Sequence, residues 1–202
     1  MEAIKRSKLV QLSDEDVMEH LQAGVVEAFD IIVNRYKDRL HNFLYRYTHN
    51  HQDCEDLVQE TFLRVYRSRH SYVRIAKLST WMYTIALNLA KTMHKKKKRM
   101  TLISMHEDPY DSESREMEFE DSVPLQDETL HQKLSVQQLE QALMELNDEF
   151  REVIVLRDIQ QLSYEEIADI TDTAMGTVKS RINRARQQLQ DLIGDYVYSE
   201  TF

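Results

Sequence analysis

Glycine and proline are scarce, with three Gly and two Pro in 202 residues. A many-stranded β protein needs turn residues between its strands, so this scarcity excludes a sandwich or barrel; with 42% hydrophobic residues it points to an all-α fold. Cysteine is nearly absent too. The single Cys54 excludes an internal disulfide, and no second Cys stands beside it to suggest a metal cluster. Within the periodic series that includes Leu57 and Val58 it reads as a small core residue rather than a redox sensor. No apolar run approaches the ~18–20 residues of a membrane span, and Met1-Glu2-Ala3-Ile4-Lys5-Arg6 lacks the apolar stretch of a signal peptide. A cytoplasmic protein without membrane insertion is expected.

Positive charge is outnumbered overall, with a net charge of −9, but the deficit is uneven. Residues 1–100 hold 18 Lys/Arg against 12 Asp/Glu, residues 101–135 hold 2 against 10, and residues 136–202 hold 6 against 13. A basic N-terminal unit, an acidic connector and a C-terminal unit with locally clustered charge are expected, with boundaries near 1–100, 101–134 and 135–202.

In the N-terminal unit, Ser13 and Asp16 mark a helix start, Val17 and Leu21 share a face, and Gly24 offers a stop. From Val25 to about Tyr47, Phe29, Ile32, Val33, Tyr36, Leu40, Phe43, Leu44 and Tyr47 recur at three- and four-residue steps, which only a helix aligns. The polar turn Thr48 to Gln52 leads to a third helix, starting near Asp53, that buries Cys54, Leu57, Val58, Thr61, Phe62 and Val65; an antiparallel pair is expected. His49 and His51 lack the partners of a metal site and read as solvated turn residues. On the outer face of the third helix, Asp56, Gln59 and Glu60 cluster. Spacing alone leaves open whether this face is merely solvated or meets a basic protein partner.

Residues 69–79 read as a basic loop before a long helix from about Thr80 to Arg99. That helix presents Trp81, Met82, Ile85, Ala86 and Leu89 for packing, then Lys91 and the run Lys95 to Arg99, with no acid between Trp81 and Met100. A cationic run is commonly a solvated tail. Here a loop and helix start with His70, Tyr72, Arg74, Lys77, Trp81 and Tyr83 precede it, and exposed aromatics beside cations suit unpaired DNA; Trp81 and Tyr83 can equally be core residues. The acidic segment 107–128, with Pro109 and Pro124, reads as a flexible linker.

In the C-terminal unit, Ser135 can cap a helix carrying Val136, Leu139, Leu143 and Leu146, and Asn147-Asp148 one carrying Phe150, Val153 and Ile154. Ser163-Tyr164-Glu165-Glu166 forms a capping box for a short helix with Ile167, Ala168 and Ile170 inward, broken at Thr171-Asp172-Thr173. A last helix from about Ala174 to Ile193 buries Val178, Ile182, Ala185 and Leu189. Its outer face carries Lys179, Ser180, Arg181, Asn183, Arg184, Arg186 and Gln187 without an acid. Short helix, tight turn and longer basic helix make a helix-turn-helix, whose second helix enters the major groove.

Asp53-Cys54-Glu55-Asp56-Leu57-Val58-Gln59-Glu60-Thr61-Phe62-Leu63-Arg64-Val65-Tyr66 and Ser79-Thr80-Trp81-Met82-Tyr83-Thr84-Ile85-Ala86-Leu87-Asn88-Leu89-Ala90 resemble regions 2.2 to 2.4 of extracytoplasmic-function (ECF, group IV) sigma factors. Phe150 to Arg157, Leu162 to Ala168 and Gly176 to Ile182 resemble their region 4. The resemblance implies two helical domains on a flexible linker and a promoter-specificity subunit of bacterial RNA polymerase, with no catalytic site, cofactor or metal of its own. It implies that Asp56, Gln59 and Glu60 dock on a basic coiled coil of the polymerase largest subunit, with further contact to the beta subunit. It further implies that Tyr72, Arg74, Lys77, Ser79, Trp81, Asn88 and Lys91 serve the melted −10 strand, and that Thr177, Lys179, Ser180, Arg181, Asn183 and Arg184 serve the −35 duplex. An anti-sigma factor is an implied partner. Two positions depart from the family pattern: Asn147 stands where Pro is common and Asp172 where Gly is common, though Asp can adopt the left-handed conformation locally. A protein-only interaction module and a one-component DNA-binding regulator are the rival readings; the first leaves the acid-free face of the last helix unexplained, and the second lacks an evident dimerisation or ligand domain.

Overall fold

The computed structural model describes residues 6–107 and 138–199, and these form helices and short connections with no strand among them. A single turn, α1 (Arg6–Leu9), precedes α2 (Asp14–Gln22), which starts where Ser13 Oγ accepts from Asp16 N at 3.2 Å. α3 (Glu27–Thr48) ends at His49 in the left-handed region, φ 49°. α4 (His51–Arg67) is capped by Asn50, whose side chain accepts from Asp53 N at 2.9 Å; this cap starts the helix two residues before the expected Asp53.

A 3₁₀ turn (Arg69–Ser71) and a loop lead into α5 (Leu78–Glu107). That helix runs past the expected end at Arg99 and through the first residues assigned to the linker, because no Gly or Pro interrupts 78–107. The acidic run of the connector and Val136 of the expected Ser135-capped helix lie outside the described residues.

The bundle closes as the stripes require. α3 and α4 pack side by side, α2 lies on α3, and α5 lies against both α3 and α4. Tyr36, Leu40, Phe43 and Leu44 of α3 are sealed against Leu57 and Val65 of α4 and Met82, Tyr83, Ala86 and Leu87 of α5. The Phe43 and Tyr83 rings meet edge to face with centroids 5.3 Å apart. Cys54 is a core residue, and burial pushes its thiol up to about 12, far from a reactive thiolate.

The C-terminal unit begins with α6, described over 138–145, followed by α7 (Asp148–Ile154), α8 (Tyr164–Thr171) and α9 (Met175–Ser199). Leu143 and Leu146 are buried, but the expected core residue Leu139 is 37% exposed. Asn147 does a cap's work at the position that departs from the family pattern: its side chain accepts from Phe150 N at 2.9 Å. Asp172 also meets its requirement, with φ 50° at the turn between α8 and α9. A feature invisible to pattern reading follows α7, where Val155–Ile159 widen into a π turn that ends at Gln160 and at Gln161 with φ 58°.

Arg151 is 8% exposed, and its charge is stabilised by the end of α6: its guanidinium donates to the carbonyls of Leu143 (2.7 Å), Met144 (2.5 Å) and Leu146 (2.8 Å). Those are orphan carbonyls of a helix terminus, so one side chain resolves both a buried cation and three unpaired acceptors. Replacing Arg151 with Met strands those acceptors and is expected to lower stability by about 2–4 kcal/mol; urea denaturation followed by circular dichroism measures the loss.

Candidate nucleic-acid interface

The outward side of α4 follows from its inward one. With Cys54, Leu57, Thr61, Phe62 and Val65 buried, the helical repeat turns Asp56 and Gln59 to solvent and leaves Glu60 half-buried. Gln52 donates to Asp56 at 3.4 Å and Arg64 pairs with Glu60 at 3.0 Å, so the acidic cluster survives with one carboxylate partly neutralised.

The loop and α5 carry the next group. Here one expected surface aromatic, Tyr72, is buried, and of the two left open as core residues Tyr83 is core and Trp81 only partly so. Tyr72 is 6% exposed, its hydroxyl donating to the Ala76 carbonyl at 2.8 Å, and Trp81 is half-buried against it with centroids 5.3 Å apart. Tyr83 is fully buried. The exposed tip of the loop is aliphatic instead: Val73 and Ile75, the latter 93% exposed. Arg74 bonds Asp16 at 2.7 Å and Glu19 at 3.2 Å. Asn88 and the run Lys95 to Arg99 are exposed on α5, with Lys97 paired to Asp53.

On α9, burial of Val178, Ile182 and Ala185 turns Thr177, Lys179, Ser180, Asn183 and Arg184 to solvent as one acid-free surface. Arg181 is drawn to the edge of that surface by Glu149 (2.6 Å) and Thr173 (3.4 Å). Lys179 Nζ lies 5.7 Å from the centre of the Tyr164 ring, which also holds the Arg157 guanidinium at 4.7 Å. Beyond it, Asn183, Arg184, Gln187 and Gln188 border a shallow depression with Phe150. Gln188 had no motif to flag it; its place one turn beyond Arg184 was the available signal.

The two units are closed on each other, which no motif announced. α8 packs on α5, and α3 touches α7 and the π turn. Tyr83 donates to Gln160 Oε1 at 2.6 Å in the buried junction, and burial pushes the phenol up to about 12. Lys91 pairs with Glu152 at 2.9 Å and Lys77 with Glu166 at 3.0 Å. The Glu152 side chain is 4% exposed, and desolvation raises its carboxyl above the ordinary value, with Lys91 opposing. Two cations expected at DNA are thus engaged by the other unit.

With this geometry in place, comparison with known proteins is decisive. Residues 32–100 match the family model Sigma-70 region 2, and residues 136–189 match Sigma-70, region 4. The chain is 33% identical over 189 residues to the ECF RNA polymerase sigma-E factor of Haemophilus influenzae, covering 91% of this chain and 96% of that one. It belongs to the ECF sigma factors. Similarity to Bacillus subtilis ECF RNA polymerase sigma factor SigW is 34% over 194 residues, covering 95% and 96% of the two chains. Mycolicibacterium smegmatis SigE is 37% identical over 173 residues, 86% of this chain but 64% of that longer relative. Among solved structures, the sigma factor RpoE of Bartonella quintana, in complex with the anti-sigma factor NepR, superposes with a TM-score of 0.66 at 29% identity, covering 82% and 96%. The function of this sigma factor is to direct transcription initiation at specific promoters.

Between regions 2 and 4 lies a cleft of about 510 Å³ bordered by Tyr47, His49, Met93, His94, Met144 and Arg151. His49, expected to be solvated, turns inward here. Its Nε2 is buried without a hydrogen-bond partner among the described residues, and burial first, then Arg151 and Arg46, pushes its pKa down to about 4. A depressed imidazole favours the neutral native state, so stability is fully present above the unfolded value of 6.5 and falls as pH drops toward about 4. His49→Asn, which keeps a residue suited to positive φ, is expected to flatten that limb in urea titrations between pH 7 and 4.

The closure makes its own prediction. Lys91→Glu sets two carboxylates against each other, and hydrogen exchange across 78–90 is expected to quicken; adding Glu152→Lys restores the pair and the protection.

Proposed function

We propose that this sigma factor binds core RNA polymerase through region 2 and reads promoters with both units, acting without catalysis of its own and in the cytoplasm, where polymerase works. The observation that carries the reading is the surface of α9: Thr177, Lys179, Ser180, Asn183 and Arg184, free of acid on the second helix of a helix-turn-helix within a unit that is otherwise acidic. Lys and Arg there suit guanine edges and phosphates, and Asn183 suits adenine. Arg181, tied to Glu149, serves the −35 duplex from the margin of that surface.

In region 2, Asp56, Gln59 and Glu60 offer an acidic face to the basic coiled coil of the polymerase largest subunit, with further contact to the beta subunit. Ser79, Trp81, Asn88, Lys77 and Lys91 serve the −10 strand, with Tyr72 shaping the loop from inside. Because Lys77 and Lys91 are paired to region 4 in the closed form, promoter engagement requires the units to part. An anti-sigma factor is the partner class we assign to holding them together, supported by the likeness to the Bartonella quintana structure.

Run-off transcription with core polymerase on the promoter upstream of this protein's own gene tests the reading. Wild type is expected to yield a transcript, and Lys179→Ala/Arg184→Ala to lose it and to lower the salt slope of promoter binding by about one per phosphate contact removed. Absence of both a transcript and core binding by the wild-type chain would overturn it.

A further inference from the structure

The loop between α4 and α5 contains neither Gly nor Pro over residues 69–78, so no turn residue sets its shape. Beyond the Tyr72–Ala76 bond inside it, its shape is held by α2. Glu15, Asp16, Glu19 and Gln22 follow one another along that helix at steps of one, three and three residues, and all four bond to the segment 69–78.

Gln22 Nε2 donates to the carbonyls of Arg69 (2.6 Å) and Tyr72 (2.9 Å), pinning the loop's entry. Arg74 donates to Asp16 (2.7 Å) and Glu19 (3.2 Å), pinning its middle. Leu78 N donates to Glu15 Oε1 at 3.0 Å, pinning its exit and the first turn of α5. Ser13 Oγ donates to Asp16 at 2.7 Å, which fixes the carboxylate that Arg74 uses. Between these points the chain turns tightly, with Ile75 N donating to the Val73 carbonyl at 2.7 Å, and the two exposed aliphatic side chains stand at the tip.

We propose that the polar face of α2 is the positioning element of the −10 loop, and that Arg74 is the loop's anchor rather than a DNA contact. This rests on the reading of 69–78 as the −10 loop and gives that site its mechanism. A loop held in shape beforehand binds unpaired DNA without first having to be ordered. An arginine already bonded to two carboxylates has little charge left for a phosphate. Unpaired, these carboxylates would repel a nearby strand; pairing with Arg74 offsets part of that charge.

The two roles of the acids predict opposite signs, which makes the test sharp. The full chain bound to core polymerase is titrated with a fluorescent single-stranded oligonucleotide carrying the non-template −10 sequence of its own promoter, against a scrambled one, over a range of salt. Glu19→Gln, Asp16→Asn and Arg74→Ala are each expected to weaken binding, by about tenfold for Arg74→Ala, the size of one lost charge-assisted contact. The salt slope stays unchanged, and Asp16→Arg combined with Arg74→Asp recovers affinity. Transcription from a template already melted at −10 is expected to suffer less than from the duplex.

If Glu19→Gln and Asp16→Asn bind as tightly as wild type or more tightly, or if Arg74→Ala lowers the salt slope by about one, Arg74 is a phosphate contact and the proposal is overturned. If the wild-type complex does not prefer the −10 oligonucleotide to the scrambled one, the −10 reading itself fails and the proposal falls with it. Thermal unfolding of each variant separates loss of the anchor from loss of the fold; Glu19→Gln leaves the Ser13 cap of α2 intact, and so remains informative should Asp16→Asn unfold.

Discussion

Burial of the first half of α5 on two sides organises everything else in this molecule. Met82, Tyr83, Ala86, Leu87 and Ala90 are removed from water, some against α3 and α4 of the same unit and some beneath region 4. Burying a large apolar side chain stabilises by about 1.5–3 kcal/mol, so packing on two sides holds this length of α5 in helix. The same continuity carries Lys91 and the run Lys95 to Arg99 out along one helical rod. The core and the cationic surface are two lengths of one helix.

Packing of region 4 on that rod depends on an irregularity. The π turn at Val155–Ile159 brings Gln160 to the buried Tyr83 hydroxyl, satisfying a donor that would otherwise be stranded in the core. Glu152 and Lys91 meet nearby at an interface where a carboxylate is costly unless paired. Contacts of this kind are strong while water is excluded and weak once it enters. A closed form built on them suits the opening that the proposed function asks for when promoter DNA engages Lys77 and Lys91.

Charge is spent locally across the surface. Arg74 is taken by α2, Lys77 and Lys91 by region 4, Arg181 by Glu149 and Arg186 by Asp158. Lys179, Asn183 and Arg184 retain an open face. A count of cations along the chain therefore overstates what a phosphate can reach: in the C-terminal unit, the cations left on the exposed acid-free surface are Lys179 and Arg184 of α9.

Periodicity determined the helices, because a 3.6-residue repeat is a local property: the stripes Tyr36-Leu40-Phe43-Leu44 and Val178-Ile182-Ala185 are buried as their spacing requires. Caps were equally legible at Ser13, Asn147 and Ser163, where a side chain answers a backbone donor three residues on. The two-unit order and the family followed from motifs that lie whole within single segments. Which aromatics stay wet did not follow, since Tyr72 is buried by Trp81 and by a carbonyl it bonds within the folded loop. Nor did the inward turn of His49, the π turn, the grip of α2 on the loop or the closure of region 4 on α5. Each joins residues distant in the chain, or depends on where a neighbouring element leaves a cavity or an unpaired group, and only the tertiary structure decides which of many possible partners comes within reach.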